Sequence, residues 1–247
     1  MRHRSTGCIL ALLACVHSPL MAEDAEKDAT EWMAEITGRA PVSRTAIYGV
    51  FKLRLPDNQR REIPIKLITE LVPSGWSDVW ETQPVEGIPA SRLMVMHQPG
   101  QTNSYSLSQS NNSDRPFEAV ALTNLFTAFA GTDFSPGDLG LEFFHWPKPV
   151  FLRSEMRKGR SCRVVQSINP QPGGTYARVL SWIDLENKQP VRAEAYDSAN
   201  RLLKSFSVTK VGRDDSRWRL KEIEMLNEQT DSRTRLELDL EINDPAK

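Results

Sequence analysis

Short segments in which apolar and polar residues alternate dominate the chain. The clearest is the last segment, which places Thr234, Leu236, Leu238, Leu240 and Ile242 between charged residues. A period of two is typical of a β-strand that is buried on one face. Similar segments recur at a spacing of about ten residues with turn signals between them. No helical segment of crossover length separates them after residue 161, so the pattern predicts an antiparallel sheet or open barrel.

Two segments break the strand pattern and predict helices. Residues 28–37 (DATEWMAEIT) carry apolar side chains at helical spacing, and Gly38 follows them, as glycine often follows a helix. Residues 135–146 are strongly apolar, and they begin with Ser135 as a candidate N-cap and Pro136 at the first helical position. The chain is therefore predicted to form a mainly β domain with a few helices (α+β).

The N-terminal residues predict export. A basic start precedes an apolar run at residues 7–16 (GCILALLACV), and the chain turns acidic and polar after Ala22. The run is too short to span a bilayer as a helix, but it has the length of a signal-peptide core. We therefore assign residues 1–22 to a signal peptide and residues 23–247 to a single mature domain.

Two processing sites remain open at this stage. Cleavage after Ala22 would release a soluble periplasmic protein, and this is the preferred alternative, although Leu20 is larger than usual at its position. The other alternative is residues 12–15 (LLAC), which resemble a lipobox; Cys15 would then be lipidated and would attach the protein to the outer membrane. Cys162 would be alone in the mature chain, and a small buried strand residue is a better interpretation of it than a reactive thiol.

Charge and motifs argue against several classes of function. The net charge is −1, so no strong field attracts nucleic acid. The chain carries no HExxH, paired CxxC, GxSxG, P-loop or GxGxxG motif, and we expect no enzyme activity, metal or cofactor. His97 and His145 are the only histidines after the signal segment, and both are interpreted as structural residues. An enzyme would need one of them beside a carboxylate.

Aromatic residues suggest a different kind of site. A curved sheet that is closed by an apolar helix can leave an interior that holds an apolar ligand. The candidate lining and lid residues are Trp76, Trp80, Phe143, Phe144, Trp146 and Trp182. The helix predicted at residues 135–146 is the candidate lid. The alternative is that these side chains simply fill a large core.

Several motifs of the second half resemble a known family. They are residues 138–147 (DLGLEFFHWP), 157–162 (RKGRSC), 181–184 (SWID), 193–197 (AEAYD), 203–204 (LK) and 234–236 (TRL). Together they resemble the bacterial outer-membrane lipoprotein-sorting proteins of the LolA-like superfamily, in a largely uncharacterised branch. The resemblance covers about residues 135–242, and the N-terminal half is similar in layout only.

The resemblance implies a fold and a function. The implied LolA/LolB-like fold is a curved antiparallel half-barrel, open at its sides and covered by helices and loops. The implied function is a non-catalytic envelope protein that binds acyl chains of lipids or lipoproteins in an apolar cavity, in transport to the outer membrane. Its partners would be those lipids or lipoproteins, with an envelope protein as a further partner. The alternatives are an interaction module with a filled core and an enzyme on the same scaffold.

Overall fold

The computed structural model describes residues 19–109, 116–171, 173, 175–214 and 217–239. Of these, residues 19–27, 213–214, 217–219 and 239 are described by their backbone alone. The signal-peptide prediction lies mostly outside this part of the chain, and so do Cys15, Leu240 and Ile242. Those predictions remain predictions.

One long helix precedes the sheet. Helix α1 spans Pro19–Thr37, so it contains the predicted helix at residues 28–37 and begins earlier. The helix ends at Thr37, directly before Gly38, as the sequence predicts. The N–H of Gly38 donates to the backbone oxygen of Ala34 at 2.9 Å, and the hydroxyl of Thr37 donates to the backbone oxygen of Met33 at 3.0 Å. Trp32 of α1 packs edge-on against Phe151 at 5.4 Å between ring centroids.

In the described part of the chain, thirteen strands form a single sheet. In chain order they are β1 (Thr45–Arg54), β2 (Arg60–Val72), β3 (Gly75–Thr82), β4 (Ser91–His97), β5 (Ser104–Gln109), β6 (Glu118–Ala119), β7 (Val150–Arg157), β8 (Arg160–Ile168), β9 (Arg178–Asp184), β10 (Pro190–Tyr196), β11 (Leu202–Asp214), β12 (Arg217–Asn227) and β13 (Ser232–Asp239).

The strand order explains how two meanders make one open sheet. The order is β6-β5-β4-β3-β2-β1-β13-β12-β11-β10-β9-β8-β7, and the strand pairs are antiparallel. Strands that are consecutive in the sequence pair with each other, except that β6 and β7 lie at opposite edges, and β1 pairs with β13 at the centre. The sheet does not close, because β6 and β7 remain its two edges. The predicted antiparallel, open and mainly β fold is confirmed.

A glycine permits the central pairing. Gly49 of β1 lies opposite Leu238 of β13. A Cβ atom at position 49 would stand only 2.3 Å from the backbone oxygen of Glu237, far inside van der Waals contact. The absence of a side chain therefore lets the two halves of the sheet approach to hydrogen-bonding distance.

Residues 120–149 connect the two edge strands and lie across one face of the sheet; we call them the covering segment. They contain only short helical turns: a 3-10 turn at Leu122–Asn124, helix α2 at Pro136–Leu139 and a second 3-10 turn at Glu142–Phe144. The cap at Ser135 is confirmed, but the continuous helix predicted over residues 135–146 is wrong. Leu141 adopts a left-handed conformation with φ of 50°, which ends one turn and starts the next.

Two apolar clusters lie between the covering segment and the sheet. In the first, Leu125, Phe129 and Phe134 of the covering segment pack on side chains of β1–β5, β12 and β13. In the second, Phe143, Phe144 and Trp146 pack on β8–β11, and Met33 of α1 joins them. The face of the sheet that carries these clusters is called the covered face below.

Candidate binding surface under the covering segment

Three of the predicted aromatic residues lie together in the covering segment. Phe143, Phe144 and Trp146 are each at most 5% exposed. The ring of Phe143 meets Phe144 edge-on at 5.3 Å and Trp146 at 6.5 Å. Phe126 adds a further edge contact to Trp146 at 6.0 Å. These rings form the aromatic underside of the covering segment, turned toward the sheet.

Two more predicted residues, Trp76 and Trp80, lie on β3. Trp80 stands opposite Leu93 and belongs to the first apolar cluster. Its indole nitrogen is buried and has no hydrogen-bond partner within the described part of the chain. Trp76 stands opposite His97 and stacks on it, with ring centroids 4.9 Å apart and an interplanar angle of 11°. Both tryptophans therefore lie on the covered face.

Trp182 does not join the other five. It belongs to a separate cluster with Cys162, Val164 and Val191. Neighbouring residues of a strand point to opposite faces, and Ile183 packs in the second apolar cluster, so Trp182 faces away from the covering segment. Its indole nitrogen donates to the carboxylate of Glu155. The alternation on β9 is visible in the sequence, but which of its two apolar faces is covered depends on the chain packed against it.

Cys162 is the small buried strand residue that the sequence predicts. It is a free thiol with no exposed surface, on the same side as Trp182. Burial raises the pKa of this thiol, and the nearby carboxylate of Asp184 adds to the increase. A raised pKa leaves little thiolate near neutral pH, which does not suit a nucleophile.

A buried polar network attaches the covering segment to the second half of the sheet. Asp138 of α2 accepts hydrogen bonds from the Ser135 hydroxyl at 2.6 Å and from the Tyr176 hydroxyl at 3.0 Å. Lys204 of β11 lies 3.5 Å from the Asp138 carboxylate and donates to the backbone oxygen of Asp133 at 2.7 Å. Burial, together with the charge of Asp138, raises the pKa of Tyr176 well above its ordinary value. These groups are called the Asp138 network.

Asp133 extends this attachment to the last strand. Its carboxylate accepts hydrogen bonds from Thr234 at 2.7 Å and from Ser232 at 2.5 Å, both on β13. Its own backbone N–H donates to the Thr234 hydroxyl at 3.0 Å. Asn227 of β12 contributes a further contact at 3.3 Å. Two aspartates of the covering segment therefore hold it to three neighbouring strands.

A second polar cluster attaches the covering segment to the first half of the sheet. The hydroxyl of Tyr105 on β5 donates to Glu142 at 3.0 Å. Asn103 donates to the backbone oxygen of Gly140 at 2.9 Å and to the Tyr105 hydroxyl at 3.3 Å. A Cβ atom at Gly140 would lie 2.4 Å from that hydroxyl, so this contact requires glycine. Glu142, Tyr105 and Asn103, with His97 and His145, form the Glu142 cluster.

Burial changes the pKa values of two groups in the Glu142 cluster. It raises the pKa of Glu142 to about 7, against the opposing effects of the Tyr105 hydrogen bond and the charge of His97. Burial, together with the charge of His97, lowers the pKa of His145 to about 4. The Nε2 atom of His97 is 3.2 Å from a carboxylate oxygen of Asp78, but it is not aligned as a hydrogen bond.

The covered face is packed at its centre and open at one rim. Between Asp138, Phe143 and Phe206 the free volume is only about 10 Å³, too little for more than a single water molecule. A cavity of about 310 Å³ lies at the β5–β6 edge, lined by Leu107, Val120, Phe129 and other residues of the covering segment. This volume is at the low end of known ligand pockets. None of the six predicted aromatic residues lines it.

Sequence reasoning missed the charged residues of the site. Asp138 and Lys204 appear in the motifs quoted above, but alternation alone assigns charged strand residues to solvent. One signal was available: Lys204 lies within an apolar strand segment (LLKSF), and Ser135 and Asp138 have the spacing of a capping box. The partners of Asp138, which are Tyr176 and Lys204, become visible only in the folded chain.

The described residues contain no group of three or more His, Cys, Asp or Glu side chains that could hold a metal ion. None of their helices is long and apolar enough to cross a membrane.

The chain matches a family model and several solved structures. A family of uncharacterised proteins matches residues 110–245, which is more than half of the chain. No curated protein matches it. A domain from Vibrio parahaemolyticus, named for outer membrane lipoprotein sorting, is similar in structure with a TM-score of 0.69 and 17% identity, over 89% of this chain and 95% of that one.

Two other solved structures share the fold. A DUF1329-family protein from Desulfovibrio piger has a TM-score of 0.68 at 15% identity, over 90% of this chain and 95% of that chain. A LolA-superfamily protein from Nitrosomonas europaea has a TM-score of 0.61 at 16% identity, over 87% of this chain and 91% of that chain. The similarity extends over nearly the whole length of each protein.

Proposed function

The chain belongs to this family of uncharacterised proteins and has the LolA-superfamily fold, and from that premise we propose that it is a non-catalytic carrier of acyl chains in the bacterial envelope. Residues 23–247 form its single lipid-binding or lipoprotein-binding domain, and residues 1–22 direct its export. The acyl chain, on a lipid or on a lipoprotein bound for the outer membrane, occupies the covered face.

The observation that carries this proposal is that the covered face is apolar and is covered by an irregular segment of the chain. An apolar surface spanning two clusters is covered by a segment with only three short helical turns, rather than by a second sheet or a long helix. Phe143, Phe144 and Trp146 of that segment occupy the surface that an acyl chain needs. In this proposal the structure corresponds to the closed state of the carrier, and the ligand replaces these side chains when the segment moves.

Burial of an acyl chain opposes the cost of displacing the covering segment. Each methylene group that leaves water contributes about 0.8 kcal/mol, so a chain of about fifteen contributes on the order of 12 kcal/mol. This free energy acts against the loss of aromatic contacts and of the polar attachments of the covering segment. The indole N–H of Trp80 has no hydrogen-bond partner among the described residues, and it offers a donor to an ester or carboxyl oxygen of the ligand.

The rim cavity at the β5–β6 edge is the access route in this proposal. It lies between the sheet and the covering segment, and Leu107, Val120 and Phe129 give it apolar walls. Asp133 and Asp138 attach the covering segment to β11–β13, on the other half of the sheet. An acyl chain that enters at this rim would therefore begin to separate the segment from the sheet without first breaking those contacts.

Acyl chains should be found in the protein as purified from the envelope. Native mass spectrometry and lipid extraction of the exported form detect them, and a fluorescent fatty acid measures uptake. Leu107→Arg places a charge in the rim cavity and should reduce uptake at least tenfold. Val42→Arg is the matched control, because Val42 is 78% exposed, precedes β1 and does not line the cavity.

Two outcomes would contradict the carrier proposal. A protein that is free of ligand and also fails to take up the fatty acid is an interaction module with a filled core. Equal uptake by the two arginine variants would show that the rim cavity is not the access route. Cys15→Ser separates the sources of extracted lipid, since a chain that disappears in this variant was attached to the protein rather than bound by it.

One observation favours a second candidate function, an enzyme on the same scaffold. The Glu142 cluster places a histidine 3.2 Å from a carboxylate and a second carboxylate with a pKa of about 7 nearby. Those are groups that general acid–base chemistry uses. We prefer the carrier, because Glu142 is already bonded to Tyr105 and thereby positions the covering segment. Turnover of an acyl ester that His97→Ala abolishes would reverse this preference.

A further inference from the structure

Strand β7 is an edge strand of the sheet. It pairs with β8 on one side, and its other side is the end of the strand order among the described residues. Helix α1 packs against the start of β7 at Phe151, and no strand of the described residues pairs with the outer N–H and C=O groups of β7, which are a template for another strand. Two large apolar side chains of β7 are exposed as well: Leu152 is 43% exposed and Met156 is 63% exposed.

The sequence of this strand is complementary to itself. Residues 152–156 read LRSEM, with Ser154 at the centre. If β7 pairs antiparallel with β7 of a second copy about Ser154, Arg153 lies opposite Glu155, and Leu152 lies opposite Met156. Directly opposite residues are on the same face of a sheet, and an opposite-charge pair there contributes about 0.2–1 kcal/mol. The two-fold symmetry produces each of these pairs twice.

Other registers of the same pairing are less favourable. Pairing about Glu155 places Glu155 opposite itself and Arg153 opposite Arg157. Pairing about Arg153 places that arginine opposite itself. Pairing about Met156 soon reaches the end of the strand at Arg157. A shift by one residue would set side chains of opposite faces against each other, which a continuous sheet does not allow. The charges disfavour the registers about Glu155 and Arg153. The register about Met156 would place Glu155 opposite Arg157, but the strand ends there, so the register about Ser154 is the most favourable.

We propose that two copies of the chain associate through β7, in an antiparallel pairing centred on Ser154 that continues the sheet from one copy into the other. Arg153 and Glu155 form an ion pair within each strand at 2.7 Å. Across the two-fold axis they become an alternating group of four charges. These charges repel a strand that lacks the complementary pattern, so they select a second copy over an arbitrary partner.

The bulge in β7 limits the extent of the contact. The register between β7 and β8 shifts between Phe151 and Arg153, which leaves Leu152 without an opposite residue on β8. A bulge bends a strand, so regular pairing covers Arg153–Glu155, and Leu152 of one copy packs against Met156 of the other at each end. Because so short a contact binds weakly, we expect a dimer that dissociates on dilution in the micromolar range or above. This inference does not depend on the proposed ligand.

Charge reversal tests the pairing by sedimentation of the full exported chain. Arg153→Glu faces Glu155 with a like charge and should weaken the dimer at least tenfold, and Glu155→Arg should do the same. The double variant R153E/E155R restores the opposite charges and should recover the dimer. The matched control is R44E/E70R, which reverses the exposed ion pair between Arg44 and Glu70 at 3.1 Å. A wild-type protein that is monomeric at millimolar concentration would overturn the proposal.

A cysteine at the symmetry axis tests the register. The two Ser154 Cα atoms of the pair lie about 4.5–5.5 Å apart, within the range of a disulfide. Ser154→Cys should therefore give a covalent dimer on mild oxidation. Met156→Cys is the matched control, because its two copies lie on opposite sides of the axis, more than a disulfide's reach apart. Equal crosslinking of the two variants, or crosslinking of Ser154→Cys to a different protein alone, would contradict pairing between copies.

Discussion

At the scale of the residue, Glu142 makes the stability of the folded chain depend on pH. Its carboxyl group is 7% exposed and has a pKa of about 7, because burial disfavours the charged form. Its ordinary pKa is 4.5, so the folded chain binds a proton more tightly than the unfolded chain. The resulting stability is fully present below pH 4.5 and is lost as the pH rises through about 7.

Glu142→Gln should remove this pH dependence. The amide remains neutral and still accepts a hydrogen bond from Tyr105, so the variant should be more stable than the wild type above pH 7. The difference should be on the order of 3 kcal/mol at pH 8 and should vanish near pH 4.5, where Glu142 of the wild type is protonated. Denaturant unfolding at several pH values measures it.

The exposed Glu86 provides the control for this prediction. Glu86→Gln removes the same carboxylate charge without affecting the covering segment, and its effect should be small at each pH. His145 acts in the opposite direction: burial lowers its pKa to about 4, so its contribution is present above pH 6.5 and lost as the pH falls through 4. A difference between E142Q and wild type that does not change with pH would contradict the assigned pKa.

At the scale of the element, the covering segment holds its conformation through contacts with the sheet. Its helical turns are three or four residues long, too short to be stable alone. The Asp138 network attaches it to one half of the sheet, and the Glu142 cluster attaches it to the other. Apolar packing fills the space between the two attachments.

Asp138→Ala should release one side of the covering segment. The substitution removes the acceptor of Ser135 and Tyr176 and leaves Lys204 without its carboxylate partner, which costs about 3–5 kcal/mol for a buried ion pair. Hydrogen exchange of residues 120–149 should accelerate more than that of β2 and β3. The fluorescent fatty acid should also enter faster than in the wild type.

Two further variants make this prediction specific. Asp57→Ala removes a carboxylate that accepts only an exposed turn hydrogen bond from Gln59, and exchange in the covering segment should not change. D138A/K204M removes the unpaired cation as well and should recover part of the lost stability. If D138A destabilises the sheet and the covering segment equally, Asp138 is a residue of the general core.

At the scale of the whole molecule, the sheet depends on a joint between its two meanders. Among the described residues, the strand pairing that joins β1–β6 to β7–β13 is that of β1 with β13, and the covering segment links their other ends. The pairing joins residues that are far apart in the sequence, such as Phe51 and Leu236, and both of these are fully buried. The covered face is continuous only because this joint is formed.

Gly49→Ala should disrupt that joint. The added methyl group would lie 2.3 Å from the backbone oxygen of Glu237, and a backbone atom in a paired strand cannot move aside cheaply. We expect a loss of several kcal/mol in unfolding free energy, about 2–4 kcal/mol, or failure to fold. Gly212→Ala on β11 is the control, because its Cβ would meet only the flexible end of Lys221. Equal stability of the two variants would contradict the role of Gly49.

Local patterns determined the secondary structure of this protein. Alternation identified the strands because the covalent geometry of an extended chain points successive side chains to opposite faces. Gly38 marked the end of α1 and Ser135 the start of α2, since unsatisfied backbone groups at a helix terminus need a cap within a few residues. The predicted open antiparallel fold was confirmed for the same reason, because it follows from the spacing of the strands along the chain.

Only the tertiary structure decided which face of a strand is covered, where the predicted helix is interrupted and which residues contact the buried polar groups. Trp182 and Ile183 are neighbours, yet only Ile183 lies under the covering segment, because the segment packs on that side of β9. Leu141 interrupts the predicted helix so that Gly140 and Glu142 can contact Tyr105, more than thirty residues away. Asp138 and Lys204 are separated by 66 positions. Such contacts depend on how distant segments pack together, and the alternation of residues within one segment does not predict that packing.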